Sequence, residues 1–136
     1  MATAQVVTTA WIEISAEVWE YEITWTSTDA GVVSHSLAMP SLSKIMGWYL
    51  FMAKVNPGVT PTAAWDWTLK DSDGIDLMGG LGADMSNSVS VLLIPKLDGT
   101  NYGDVLVDGE LTFAIAAAGD AKPGVNSFFF RKVCGR

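Results

Sequence analysis

An alternation of apolar and polar side chains with a period of two most constrains the fold of this chain. In EVWEYEITWTST, residues 17–28, one face is formed by Trp19, Tyr21, Ile23 and Trp25. Glutamate and threonine residues occupy the other face. Because successive side chains of a strand point to opposite sides, the segment predicts a half-buried β-strand. The pattern recurs in AAWDWTLKD, residues 63–71, with Trp65, Trp67 and Leu69 facing inward.

Turn signals divide the rest of the chain into short strands of similar spacing. TDAG at 28–31, NPGVTP at 56–61, Asp98-Gly99 and Asp108-Gly109 interrupt the apolar runs, and no segment has a helical stripe. We predict an all-β chain: a single jelly-roll-like antiparallel β-sandwich of about eight strands over residues 1–136. An immunoglobulin-like sandwich is the second choice. A hairpin is expected around 17–39, and a hairpin turn or bulge at Asp108-Gly109. The segment QVVTTAWIEI, residues 5–14, is interpreted as another strand or as part of an extended N-terminal arm over residues 1–10.

Composition restricts the class of function. Fifteen acidic against eight basic residues leave a net charge of -7, which disfavours nucleic-acid binding because no cationic surface can be assembled. The longest apolar run, at 45–55, is too short to span a bilayer, and the N-terminus lacks a signal peptide, so we expect no membrane partner. The single cysteine, Cys134, excludes an internal disulfide.

Catalytic residue types are sparse. The only histidine, His35, lies between Ser34 and Ser36, whose side chains point to the opposite face of a strand, so no triad is expected. Cys134 lacks a histidine partner other than His35 and is interpreted as an incidental thiol. We therefore predict that the protein is not an enzyme.

The segment LKDSDGIDLMGG, residues 69–80, resembles a calcium-binding loop only in part. With Asp71 at position 1, Asp73 fills position 3, but Ile75 and Gly82 stand where acidic ligands are required. A turn at Asp73-Gly74 is the favoured interpretation and no cofactor is expected, although an irregular site built on Asp71, Asp73, Asp76 and Asp84 stays open. The glycine-rich continuation to Asn87 is too long for a simple hairpin and predicts an exposed excursion that touches a neighbouring subunit.

A carbohydrate-binding sandwich is an alternative, because tryptophans can stack on sugars. Its platforms would be Trp48, Trp65 or Trp67, with calcium at the aspartates. Filling of the core by these rings is the preferred interpretation.

Three segments resemble small virion proteins of tailed bacteriophages. They are ITWTSTDAGVVSHSL, VNPGVTPTAAWDWTLKDSDGIDLMGG and GELTFAIAAAGDAKPGVNSFFF. The similarity lies in the strand ending at 24–27, the strand at 65–69 and the Asp-Gly and Gly-Gly turns at 74–80. These motifs mark strands and turns and carry no chemistry.

The resemblance implies a structural role in the virion, as a cement or decoration subunit that binds the major capsid protein. A tail, neck or head-fibre component is the alternative within the same group. A homo-oligomer, either a dimer or a trimer, is expected, with the protein made in the host cytoplasm. Partner contacts are expected from the N-terminal arm and from the glycine-rich excursion, through Val6, Val7, Trp11, Met78, Leu81 and Met85.

Overall fold

The computed structural model describes residues 4–57, 61–62, 64–98 and 100–132. Within them the chain forms nine β-strands and one short 3-10 helix at Ser41–Lys44. The strands are β1 (Val6–Ser15), β2 (Val18–Thr26), β3 (Val33–Leu37), β4 (Tyr49–Asn56), β5 (Asp66–Lys70), β6 (Val91–Leu93), β7 (Val105–Leu106), β8 (Leu111–Ala116) and β9 (Pro123–Arg131).

The strands form two antiparallel sheets. The larger sheet has the order β1-β2-β9-β4, and the far side of β4 is shared by β6 and β7. The smaller sheet has the order β3-β8-β5. The predicted all-β antiparallel sandwich is confirmed, whereas the jelly-roll topology stays a prediction.

The predicted alternation places large rings between the sheets. Trp25, Trp65 and Trp67 are each at most 1% exposed. The ring of Trp67 lies 5.5 Å from that of Phe128 and 6.3 Å from that of Phe113, so it bridges both sheets. Removing such a buried aromatic side chain costs about 3–5 kcal/mol, so these rings are a principal source of stability.

Both predicted hairpins are wrong. β2 and β3 lie in different sheets, and residues 27–32 carry the chain between them. Within that connection, a hydrogen bond of 3.0 Å from the Thr28 N–H to the Val32 carbonyl closes a turn. At Asp108-Gly109 the chain likewise crosses from β7 in the larger sheet to β8 in the smaller sheet. The alternation requires only that the apolar face of each strand be covered. A connection that crosses to the opposite sheet covers that face as well as a hairpin within one sheet does.

The N-terminal segment is a strand of this chain's own sheet. β1 pairs with β2 from Val6 opposite Thr26 to Ser15 opposite Val18, with a register shift at its end between Glu13 and Ser15. The strand alternative is therefore confirmed for residues 6–14, and the extended arm is wrong for residues 6–10, because they are paired within this chain. Residues 1–3 lie outside the described residues.

Candidate functional site

The histidine joins the two sheets. The His35 Nε2 atom lies 2.8 Å from the Tyr21 hydroxyl oxygen, so β3 of the smaller sheet is linked to β2 of the larger. Partial burial lowers the pKa of His35. The adjoining cavity, lined by apolar side chains such as Ile23 and Phe113, has a volume of ≈ 10 Å³. That volume holds at most about one water molecule, so it does not admit an organic ligand.

The aspartates organise their own loop. The Asp71 carboxylate accepts hydrogen bonds of 3.0 Å from the backbone N–H groups of Asp73 and Ile75. The Asp76 carboxylate accepts bonds from three backbone N–H groups, those of Leu69, Met78 and Gly80. Across residues 4–57, 61–62, 64–98 and 100–132, no three His, Cys, Asp or Glu side chains are grouped so that they could hold a metal ion.

Residues 71–87, here called the covering loop, fold back along the free edge of β5. The backbone N–H of Trp67 donates to the Gly82 carbonyl at 3.0 Å, and the backbone N–H of Leu77 donates to the Leu69 carbonyl at 2.8 Å. Met85 forms a β-bridge with Trp65. The excursion expected to project to a neighbour therefore occupies the sheet edge of its own chain. Its exposed side includes Ile75, which is 60% exposed.

The six residues expected to contact a partner differ in how much of their surface is exposed. Val6 is 59% exposed, whereas Met78 is fully buried and offers no surface to a partner in this conformation. The other four are partly buried and pack against the core: Val7, Trp11, Leu81 and Met85. Among them, Trp11 donates its indole N–H to the Ser41 hydroxyl at 3.0 Å. Partner contact by the residues with exposed surface stays a prediction.

Two of the proposed sugar platforms have no accessible ring face. Trp65 and Trp67 are buried, and their indole N–H groups donate to the Ser86 carbonyl and to the Met85 sulfur. Trp48 is partly buried and packs against the core. The preferred interpretation, in which these rings fill the core, is confirmed for Trp65 and Trp67.

A group of exposed apolar side chains lies at the β6/β7 side of the larger sheet. Their exposed fractions range from 47% to 61%. We call this group the apolar edge: Leu92, Ile94, Leu97, Tyr102 and Leu106. Sequence reasoning missed it, although a clue exists in the run Leu92-Leu93-Ile94. A three-residue strand with one buried face must expose at least one member of such a run.

Hydrogen bonds fix the backbone of the segment between β6 and β7, which carries Leu97 and Tyr102 of the apolar edge. The Leu97 N–H donates to the Asn101 carbonyl at 2.7 Å, and the Gly103 N–H donates to the Pro95 carbonyl at 2.9 Å. The Asp98 carboxylate accepts backbone bonds from Thr100 and Asn101. The Thr100 backbone bond, together with bonds from the side chain and backbone of Asn101, lowers the pKa of Asp98 to about 2. The apolar edge is thus presented on a structured segment.

The fold and these surfaces define an antiparallel β-sandwich with exposed apolar side chains at one sheet edge. In the part of the chain that the structure describes, no helix is both long and apolar enough to cross a membrane. Comparison with protein-family models, with curated proteins and with solved structures finds no match to this chain.

Proposed function

We propose that this protein is a structural virion subunit that binds and stabilises a phage capsid as a cement or decoration protein. The observation that carries the proposal is the apolar edge. Five large apolar side chains, each about half exposed, stand close together in sequence on a chain with a net charge of -7. Exposed apolar groups of this kind mark interaction surfaces, because water contact is unfavourable until a partner covers them.

The resemblance to small virion proteins of tailed phages indicates the class of partner. In this proposal the major capsid protein covers the apolar edge, and no catalytic step, cofactor or nucleic-acid contact is involved. The negative charge suits a position on the outside of the shell, away from the packaged DNA. A tail, neck or head-fibre component would use the same edge but would be present in few copies.

A pair of isoleucine variants tests the role of the apolar edge. Ile94 is 54% exposed on the edge, and Ile75 is 60% exposed on the covering loop. Covering the exposed half of an isoleucine contributes about 1–1.5 kcal/mol, and placing a lysine charge in the same contact adds a desolvation cost. We therefore expect Ile94→Lys to weaken binding to capsids that lack the subunit by at least about tenfold. The matched control Ile75→Lys should bind nearly as well as the wild type.

Binding is measured by co-sedimentation with purified capsids, and copy number by quantitative mass spectrometry of virions. Saturable binding and a copy number comparable with that of the major capsid protein support the cement proposal. Absence of wild-type binding, or equal loss in both variants, contradicts it. A handful of copies per particle would instead favour the tail, neck or head-fibre role.

A further inference from the structure

Three of the four sheet edges are short or covered by this chain. The covering loop lies along β5. On β3, the Gln5 carboxamide donates to the Ser34 carbonyl and accepts from the Ser34 N–H, at 2.7 and 2.8 Å. The edge beyond β4 is divided between the three-residue β6 and the two-residue β7. Short strands and covered edges are the usual means by which proteins prevent unwanted strand pairing.

In the part of the chain that the structure describes, the β1 edge has none of these protections along most of its length. β1 has ten residues and ends the larger sheet, and among the described residues its backbone pairs only with β2. Its sequence, VVTTAWIEIS, contains no proline and no lysine, and Glu13 is its one charged residue. The register shift near Ile14 disturbs only the end of the strand, so Val6–Glu13 is a regular edge. Such an edge is a template for another strand.

We propose that the β1 edge pairs with β1 of a second copy of this chain, antiparallel about a two-fold axis at Thr9. The larger sheets of the two copies then become one continuous sheet. In this register Val6 faces Ile12 of the second copy, and Val7 faces Trp11 of the second copy. A two-fold interface uses the same surface on both partners, so the strand must be complementary to itself.

The side chains of β1 satisfy that requirement. Val6 and Ile12 are 59% and 36% exposed and lie on the outer face of the sheet, so their pairing covers two apolar groups. Thr9 meets Thr9 of the second copy, a favourable cross-strand pair. The two Glu13 carboxylates are at opposite ends of the pairing and do not face each other. A second copy therefore meets apolar or neutral side chains along Val6–Ile12, which is all of the regular edge except Glu13.

Lysine substitutions on the outer face test the proposed pairing. Val6→Lys with Ile12→Lys places like charges opposite each other at both ends of the dimer, while each single chain keeps them in solvent. We expect this change to raise the dimer dissociation constant by about tenfold or more. The matched control is Val89→Lys with Ile75→Lys, at side chains that are 58% and 60% exposed. It makes the same charge change away from β1 and should leave the dimer intact.

Sedimentation velocity over a concentration series, under reducing conditions, measures the assembly of the full chain. The wild type should reach twice the chain mass of 14.5 kDa. Mixing the lysine variant with Val6→Glu, Ile12→Glu protein should restore dimers, because opposite charges then face each other. A monomeric wild type, a lysine variant that dimerises normally, a control that dissociates equally, or a mixture that stays monomeric would each overturn the pairing.

Amide hydrogen exchange on the wild type gives a readout that does not depend on variants. Exchange of the β1 amides that point away from β2 should slow as protein concentration rises, whereas concentration-independent exchange would contradict the proposal. The dimer does not depend on the capsid role, and these experiments use purified protein alone. A monomer overturns the dimer and leaves capsid binding standing, and a failure of the Ile94→Lys test leaves the dimer standing.

Discussion

Removing the Asp76 carboxylate should detach the covering loop from β5. The carboxylate accepts the Met78 N–H at 3.1 Å and the Gly80 N–H at 2.9 Å, and it also accepts the N–H of Leu69 in β5 at 3.3 Å. A hydrogen bond to a charged group contributes about 1.5–3 kcal/mol. The three bonds share one partly exposed group and are not additive, so we expect Asp76→Ala to lower the free energy of unfolding by about 2–4 kcal/mol.

The neighbouring aspartates supply graded controls for that measurement. The exposed Asp73 carboxylate has no partner among the described residues, so Asp73→Ala should change the free energy of unfolding by less than about 0.5 kcal/mol. Asp71→Ala removes the acceptor of two exposed backbone N–H groups and should cost about 1 kcal/mol.

Urea denaturation gives the three free energies, and hydrogen exchange locates the change. The Leu69, Met78 and Gly80 amides should lose protection in Asp76→Ala before the rest of the sandwich does. An Asp76→Ala protein no less stable than Asp73→Ala would refute the assignment of Asp76 as the group that holds the covering loop.

Two other substitutions address the core and the pH dependence. A Cβ at Gly124 would lie 2.8 Å from Cε2 of the fully buried Trp25, so Gly124→Ala should cost about 1–3 kcal/mol in urea denaturation. Gly109→Ala, which meets only ordinary contacts, is the control, and equal losses would contradict the steric reason. Burial lowers the pKa of His35 in the folded chain. As the pH falls below the ordinary histidine pKa of about 6.5, the unfolded chain therefore binds more protons than the folded chain. The contribution of His35 to stability should be largest above that pH and should be lost in thermal melts as the pH falls below it. His35→Gln should flatten the fall, and an unchanged slope would show that His35 is not its source.

Local structure was largely readable from the sequence because strand formation depends on neighbouring residues. The alternation around Trp25 and around Trp67 predicted which side chains face the core, and both rings are buried. The absence of a helical stripe predicted an all-β chain. These properties follow from a period of two, which any strand with one covered face must show.

The candidate surfaces were less predictable, since they depend on what other segments cover. Met78 was expected to meet a partner, yet it is fully buried, whereas Leu92 at the apolar edge is 61% exposed. Both are apolar residues in segments without clear alternation. Whether such a residue is buried is decided by the strand or loop that packs on it, and that segment is distant in sequence.

Alternation and turn signals alone predicted an antiparallel all-β chain with tryptophan-rich inner faces, and the folded chain has both. Which strands are neighbours became apparent only in the folded chain. β2 pairs with β9, and Trp25 lies opposite Gly124. The chain between β2 and β3 crosses between sheets, and β1 ends the larger sheet with β2 as its one partner strand among the described residues. The physical reason is that alternation specifies which face of a strand is buried, whereas the backbone hydrogen bonds at its two edges are the same for any partner.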